Sequence, residues 1–247
     1  MILFIGIDKN KSQEAFEDVK DLIKDDDAYK PKEIITTDSG KELELKPRRD
    51  YSDLYAQNSD FVGWISVDGT NIDYPVMLTP DNEQFYLHKN FNKQYDFSGV
   101  PFLNAEADII RPSDNMTIYG HHMNTGTMFG ELDKFKKKEY YDKYSSFTFD
   151  TIYLTDVNEG SFKYWEVTDC TEEEFNEYVD FIKNKSLYKT DGIDNVKYGD
   201  KLVSLSTCAY HVTNGRLVMV GKLVYEEKTD LYKSLDLDKS LDLDTIE

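Results

Sequence analysis

Between Ser12 and Lys24 the apolar residues Ala15, Phe16, Val19, Leu22 and Ile23 recur at three- and four-residue steps, which predicts one face of a helix. Asp25, Asp26 and Asp27, followed by Pro31, end that pattern. The polar stretch to Pro47 has no period and reads as a linker. A second helical pattern, carried by Leu54, Tyr55 and Asn58, leads into Phe61. There the text changes to strand chemistry: FVGWISV, a DGTN turn, then IDYPVM, with aromatic and β-branched residues around an Asp-Gly break.

Short strand-like runs follow at Val100 to Leu103, Met116 to Tyr119, Ser146 to Leu154, Phe162 to Val167, Lys201 to Thr207 and Arg216 to Tyr225. Turn signals separate most of them, and this spacing predicts a mainly β barrel or sandwich with a few helices. One helix inside the series is well marked, from Thr171 to Asn184. Thr171 and Glu174 make a capping box, Glu172 and Glu173 suit the positive end of the helix dipole, and Phe175, Tyr178, Val179 and Ile182 form the buried stripe.

The two ends of the chain read differently. The N-terminal MILFIGI is an apolar run of seven residues, against the ~20 needed to span a bilayer, so it is either the stump of a membrane anchor or a buried strand. Near the C-terminus KSLDLD occurs twice in tandem, from Lys233 to Asp238 and from Lys239 to Asp244. Two hexads are too few for a solenoid; the segment reads as a solvated extension, with a short helix or partner-binding tail as the alternative.

Charge narrows the function classes. Among 247 residues there are 48 acidic and 29 basic ones, a formal net charge of −19, so nucleic acid is excluded as a partner because phosphates need clustered Lys and Arg. Two cysteines, Cys170 and Cys208, are too few for a disulfide-stapled fold, and they leave the compartment open.

A cysteine becomes a nucleophile when a cation or a hydrogen-bonding base stabilises its thiolate. The strands on either side of the loop Cys208 to Gly215 form a plausible hairpin closed near Thr213-Asn214-Gly215. That hairpin sets Arg216 beside the strand end that carries Cys208. Arginine stays protonated and cannot be a base; it steadies an oxyanion, positions a substrate backbone or simply occupies the rim.

The four histidines are His88, His121, His122 and His211. His211 is close to Cys208 in sequence, whereas His121 follows a strand and a glycine in TIYGHHMNTGTMF, where a turn displays its ring at a strand end. His121 and His122 point to opposite sides of an extended chain, so the pair does not predict a metal site. Cys170, just before the Thr171 cap, reads as a buried structural thiol. From these residues alone Cys208 is either a core thiol or a nucleophile.

Several separated blocks resemble the sortases, the cysteine transpeptidases of Gram-positive cell surfaces, and most closely class B. They are Asn58 to Ile65 with Gly69 to Val76, then Ile118-Tyr119-Gly120-His121-His122-Met123 continuing to Met128-Phe129 and Leu132, then Leu205-Ser206-Thr207-Cys208, and finally Arg216. The resemblance implies Cys208 as the nucleophile, His121 as the general acid/base and Arg216 as the oxyanion-stabilising group. Ser206 and Thr207, which precede the cysteine in the signature, are carried as substrate-binding positions. The implied fold is a closed, mostly antiparallel β-barrel of about eight strands with N-terminal helices and one helix before the last catalytic strands. Residues 1–47 would then be an apolar stump, helix and linker, residues 48–225 the catalytic domain and residues 226–247 the acidic tail.

The implied reaction cleaves a C-terminal sorting motif of secreted proteins after its threonine. It passes through a thioester acyl-enzyme to an amine of a peptidoglycan precursor or pilin, with no cofactor and no metal, at the extracytoplasmic face of the membrane. The alternatives are a cysteine endopeptidase that hydrolyses its thioester and a silent surface-binding module. The chain departs from the family at Asn104, where an aspartate is usual, and in the short link Glu166 to Cys170 before the class B helix. The usual N-terminal membrane helix reads as missing or truncated.

Overall fold

The computed structural model describes residues 15–25, 34–36, 42–44, 49–108, 113–144, 149–154, 167–188, 191–209 and 215–222. In chain order these form α1 (residues 15–20), β1 (Lys24–Asp25), β2 (Ile34–Thr36), β3 (Glu42–Glu44), β4 (Arg49–Asp50), α2 (Ser52–Gln57), β5 (Phe61–Ser66) and β6 (Asp73–Met77). A 3-10 helix (Glu83–His88), β7 (Phe102–Leu103), β8 (Asn115–Tyr119) and a second 3-10 helix (Phe129–Lys136) follow. The remaining elements are α3 (Lys138–Tyr144), β9 (Phe149–Leu154), α4 (Glu172–Lys185), α5 (Asp191–Asp194), β10 (Leu202–Ala209) and β11 (Gly215–Lys222). The apolar run at residues 1–7, residues 162–166 of one predicted strand, His211, the Thr213-Asn214 pair and the acidic tail lie outside the described residues.

Seven strands make one mixed sheet in the order β5-β6-β7-β8-β10-β11-β9. Pairing is parallel at β6/β7 and β8/β10 and antiparallel at the other contacts. The middle of the sheet is buried on both faces, which explains why Leu217-Val218-Met219-Val220 is apolar without alternation. Leu217 and Met219 enter a core with Phe16 and Val19 of α1, Leu54 of α2, Tyr86, Phe129, Leu132 and Phe135. Val218 and Val220, with Leu202, enter a second core under Phe175, Tyr178, Val179 and Ile182 of α4. The α4 capping box is present: Thr171 accepts from the Glu174 backbone N–H at 3.3 Å, and the Glu174 carboxylate accepts from the Thr171 backbone N–H at 2.8 Å.

Polar pins cross these cores. Tyr178 of α4 donates to Ser204 of β10 at 2.9 Å, and Ser204 donates to Asn115 of β8 at 2.8 Å. Buried Asn58 donates to the Tyr86 hydroxyl at 2.8 Å and the Phe91 carbonyl at 2.6 Å, and Tyr86 donates to Asp60 at 2.8 Å. Buried polar groups left unpaired cost about 1–3 kcal/mol each, so this set fixes where the first 3-10 helix sits against β5.

Three expectations change. The sheet is not closed: among the described residues β5 and β9 are its edges, and β7 contributes only two residues, so seven strands pair in place of a closed barrel of about eight. The stretch read as a linker carries β2 paired with β3 and is flanked by β1 paired with β4, contacts too short to leave a periodic signal. Cys170 is half-buried rather than buried.

Candidate active site

The β10/β11 ladder runs in register from Leu202↔Lys222 to Ala209↔Gly215, and Cys208 is the direct partner of Arg216. Directly opposite residues share a face of the sheet, with Cβ atoms about 4.5–5.5 Å apart. By the two-residue alternation Cys208 shares its face with Leu202 and Ser204, and Arg216 shares it with Val218 and Val220. The α4 cluster covers one end of that face, and Cys208 and Arg216 stand at the other. An Nη1 hydrogen of Arg216 is donated to the Gly215 carbonyl at 3.0 Å, which fixes the guanidinium near the strand start.

His121 arrives from β8, which runs parallel to β10 with Tyr119 opposite Ser206. The ladder continues one residue further: Gly120 N–H donates to the Ser206 carbonyl at 3.1 Å, and the Thr207 hydroxyl donates to the Gly120 carbonyl at 2.8 Å. Thr207 therefore spends its side chain on holding the residue before His121. The loop beyond is tied down by the Phe129 N–H to the His121 carbonyl at 2.9 Å and by the Met128 N–H to the Tyr74 hydroxyl at 3.2 Å. His122 points the other way, with Nε2 3.1 Å from Asp133.

Gly120 has no room for a side chain, since a Cβ there would come within 2.6 Å of the buried Phe129 ring. Gly120→Ala is expected to lower kcat/KM at least tenfold, by displacing His121, and to destabilise the fold by about 1–3 kcal/mol. Steady-state kinetics beside thermal unfolding checks both.

The imidazole of His121 is half-buried, and burial is the main cause that lowers its pKa below the usual histidine value. The hydrogen bond to Leu87 opposes this and the neighbouring His88 adds to it. Nε2 lies 3.0 Å from the Leu87 carbonyl. A carbonyl only accepts, so Nε2 carries a proton and Nδ1 is the nitrogen left to exchange one.

Cys208, His121, Arg216, Ser206 and Thr207 all line one cavity of about 560 Å³. Its other walls are Glu83, Gln84 and Leu87 of the first 3-10 helix, with Phe102, Tyr119 and Gly120. No sequence pattern assigned that helix a part in the site, because a single 3-10 stretch has neither the helical nor the strand period. Glu83 is oriented by the Ala105 backbone N–H at 2.8 Å. Cys170 lies apart, beside Asp114, with Sγ 3.5 Å from its carboxylate; burial first and then that carboxylate push the thiol up to about 12. Asn104 is buried, accepts from the Thr117 N–H at 3.0 Å and is not among the cavity's lining residues. Among the described residues no cluster of His, Cys, Asp and Glu could hold a metal ion, and no helix is long and apolar enough to cross a membrane.

A thiol facing a fixed guanidinium, with an imidazole at the same cavity, is a set suited to acyl transfer. The family described as the sortase domain matches residues 65–224. A sortase B of Listeria monocytogenes is 32% identical over 216 residues, 82% of this chain and 84% of that relative. A sortase B of Staphylococcus aureus is 29% identical over 191 residues, 72% and 75% of the two chains. Among solved structures, sortase B from Bacillus anthracis in complex with AAEK1 superposes with a TM-score of 0.67 at 27% identity, covering 89% of this chain and 99% of that one. Sortase B of Clostridium perfringens gives 0.60 at 30% identity, covering 71% and 100%. The chain belongs to the sortase family, the cysteine transpeptidases that act at Gram-positive cell surfaces, and within it to class B.

Proposed function

We propose that Cys208 is the nucleophile, His121 the general acid/base and Arg216 the oxyanion donor, with Ser206 and Thr207 forming the wall along which the substrate backbone lies. The observation that carries this reading is the direct pairing of Cys208 with Arg216 beside the cavity that His121 also lines. The Cys208 thiolate attacks the carbonyl carbon after the threonine of a sorting motif, and the charge that develops on oxygen meets the Arg216 N–H groups. The C–N bond breaks, the leaving amine takes a proton from Nδ1 of His121, and a thioester remains. An incoming amine then attacks the thioester, gives its proton to His121 and expels the Cys208 thiolate.

The substrates in this reading are secreted proteins with a C-terminal sorting motif, met at the extracytoplasmic face of the membrane. The acceptor is an amine of a peptidoglycan precursor or pilin. Solved relatives support it: one is a Staphylococcus aureus sortase B–substrate complex, and another is a sortase B complexed with triglycine.

The test is product identity by mass spectrometry: a panel of sorting-motif peptides incubated with the protein, with and without a glycine- or diaminopimelate-type amine. A new amide to the added amine is the expected product. Water-only products with every amine would make the protein a hydrolytic endopeptidase, and a panel left uncut would make it a binding module.

A further inference from the structure

We propose that His88 and Phe97 are positioning residues for His121: their rings stack beside its imidazole and hold it in the orientation that leaves Nδ1 for proton transfer. The inference rests on His121 being the acid/base. The three rings are mutually stacked. His88 lies 5.1 Å from His121 at an interplanar angle of 26°, Phe97 lies 6.3 Å from His121 at 5°, and His88 lies 5.7 Å from Phe97 at 23°. Each imidazole is also held at one nitrogen by a backbone carbonyl. Nε2 of His121 meets Leu87 at 3.0 Å, and Nδ1 of His88 meets Phe97 at 3.1 Å.

The stack is carried by a rigid support. Residues 89–99 return onto the first 3-10 helix through the Asp96 N–H to the His88 carbonyl and the Val100 N–H to the Tyr86 carbonyl, both at 3.1 Å. Gly99, at φ +60°, makes the turn that a side chain would block. A shift of Phe97 disturbs His88, whose ring it stacks on and whose Nδ1–H its backbone carbonyl accepts, and through His88 the ring of His121. Phe97 is itself 56% exposed, so a role in the core does not account for it.

A stacked imidazole also acts on charge, since a proton on His88 opposes one on His121. The titratable and charged groups around the site, among the described residues, are His88 and Glu83 from the 3-10 helix, Tyr119 from β8, Cys208 from β10 and Arg216 from β11. Of these His88 alone shares a ring stack with His121.

The experiment compares peptide cleavage by the full chain, as kcat and KM separately across pH, in His88→Ala, His88→Phe, Phe97→Ala and Phe97→Tyr, with the His121 ring titrated by NMR. His88→Ala and Phe97→Ala are expected to lower kcat roughly 10- to 100-fold, the scale of a small misplacement at a reacting centre, with KM moving less than about twofold. His88→Phe and Phe97→Tyr, which keep a ring in place, recover most of that loss. In His88→Phe the His121 titration and the alkaline limb of the rate profile move to higher pH, because the opposing charge is gone.

Should His88→Ala fail to fold, the exposed Phe97 site carries the same test. An unchanged kcat in Phe97→Ala, or an unmoved His121 titration in His88→Phe, overturns the proposal. A His121→Ala protein that still cleaves would instead overturn the acid/base reading on which the proposal rests.

Discussion

Cys208→Ala is expected to lower peptide cleavage by about 10⁴-fold or more and to remove labelling by a thiol-directed inhibitor, while Cys170→Ala leaves both within about threefold of the parent. The two thiols differ in surroundings rather than in exposure class, since both are half-buried. Cys208 opens onto the cavity and faces a guanidinium across the β10/β11 ladder. Cys170 sits against the Asp114 carboxylate, and burial with that negative neighbour pushes its thiol up to about 12. Since the thiolate is the reactive species, Cys170 is almost wholly protonated at neutral pH and does not compete for an electrophile. Cleavage rates by chromatography, with the labelled cysteine mapped by mass spectrometry, check both halves. Activity surviving in Cys208→Ala would end the covalent mechanism.

How much of this is legible in the chain follows from where each signal is stored. The α4 helix announces itself because its stripe, its acidic first turn and the Thr171/Glu174 box agree; the observed span Glu172–Lys185 differs from the expectation by one residue at each end. The β10/β11 hairpin is legible for the same reason, and its register brings Arg216 to Cys208 without help from distant sequence. The parallel contact of β8 with β10 is not, because Gly120 and Thr207 are 87 residues apart and nothing local specifies their pairing. Only the resemblance, through the order of its blocks, links His121 to Cys208.

The first 3-10 helix leaves no readable trace. Six residues, Glu83–His88, give neither period, yet they supply Glu83, Leu87 and His88 around the site. His88 has no partner that sequence could name, since its neighbour His121 comes from a different element. The open sheet has a similar origin. The expectation of a closed barrel came from the family, and of the strand-like run Val100 to Leu103 only Phe102–Leu103 pairs, as β7.

Arg216→Ala is expected to lower kcat by about 10²–10³-fold with little change in KM, the scale of losing one oxyanion donor. The reason starts from what arginine can offer. It has no acceptor and stays protonated, so its service to the reaction is charge and N–H donation. One Nη1 hydrogen goes to the Gly215 carbonyl at 3.0 Å, which orients the group without using up its five donors. The β10/β11 register sets it opposite Cys208, so the oxygen of a carbonyl attacked by that sulfur develops its charge near the guanidinium. An interaction made mainly after attack shows in kcat and not in KM. Arg216→Lys restores only part of the rate, because an ammonium supplies charge at a point and lacks the planar fork. The alkaline limb of the acylation pH profile belongs to His121, which must be protonated to serve the leaving amine, and stays in place in both variants. Single-turnover acylation, followed by rapid quench alongside thermal unfolding, separates this from a folding defect. Full activity in Arg216→Lys would reduce the residue to a simple positive charge, and unchanged acylation in Arg216→Ala would remove it from the oxyanion site altogether.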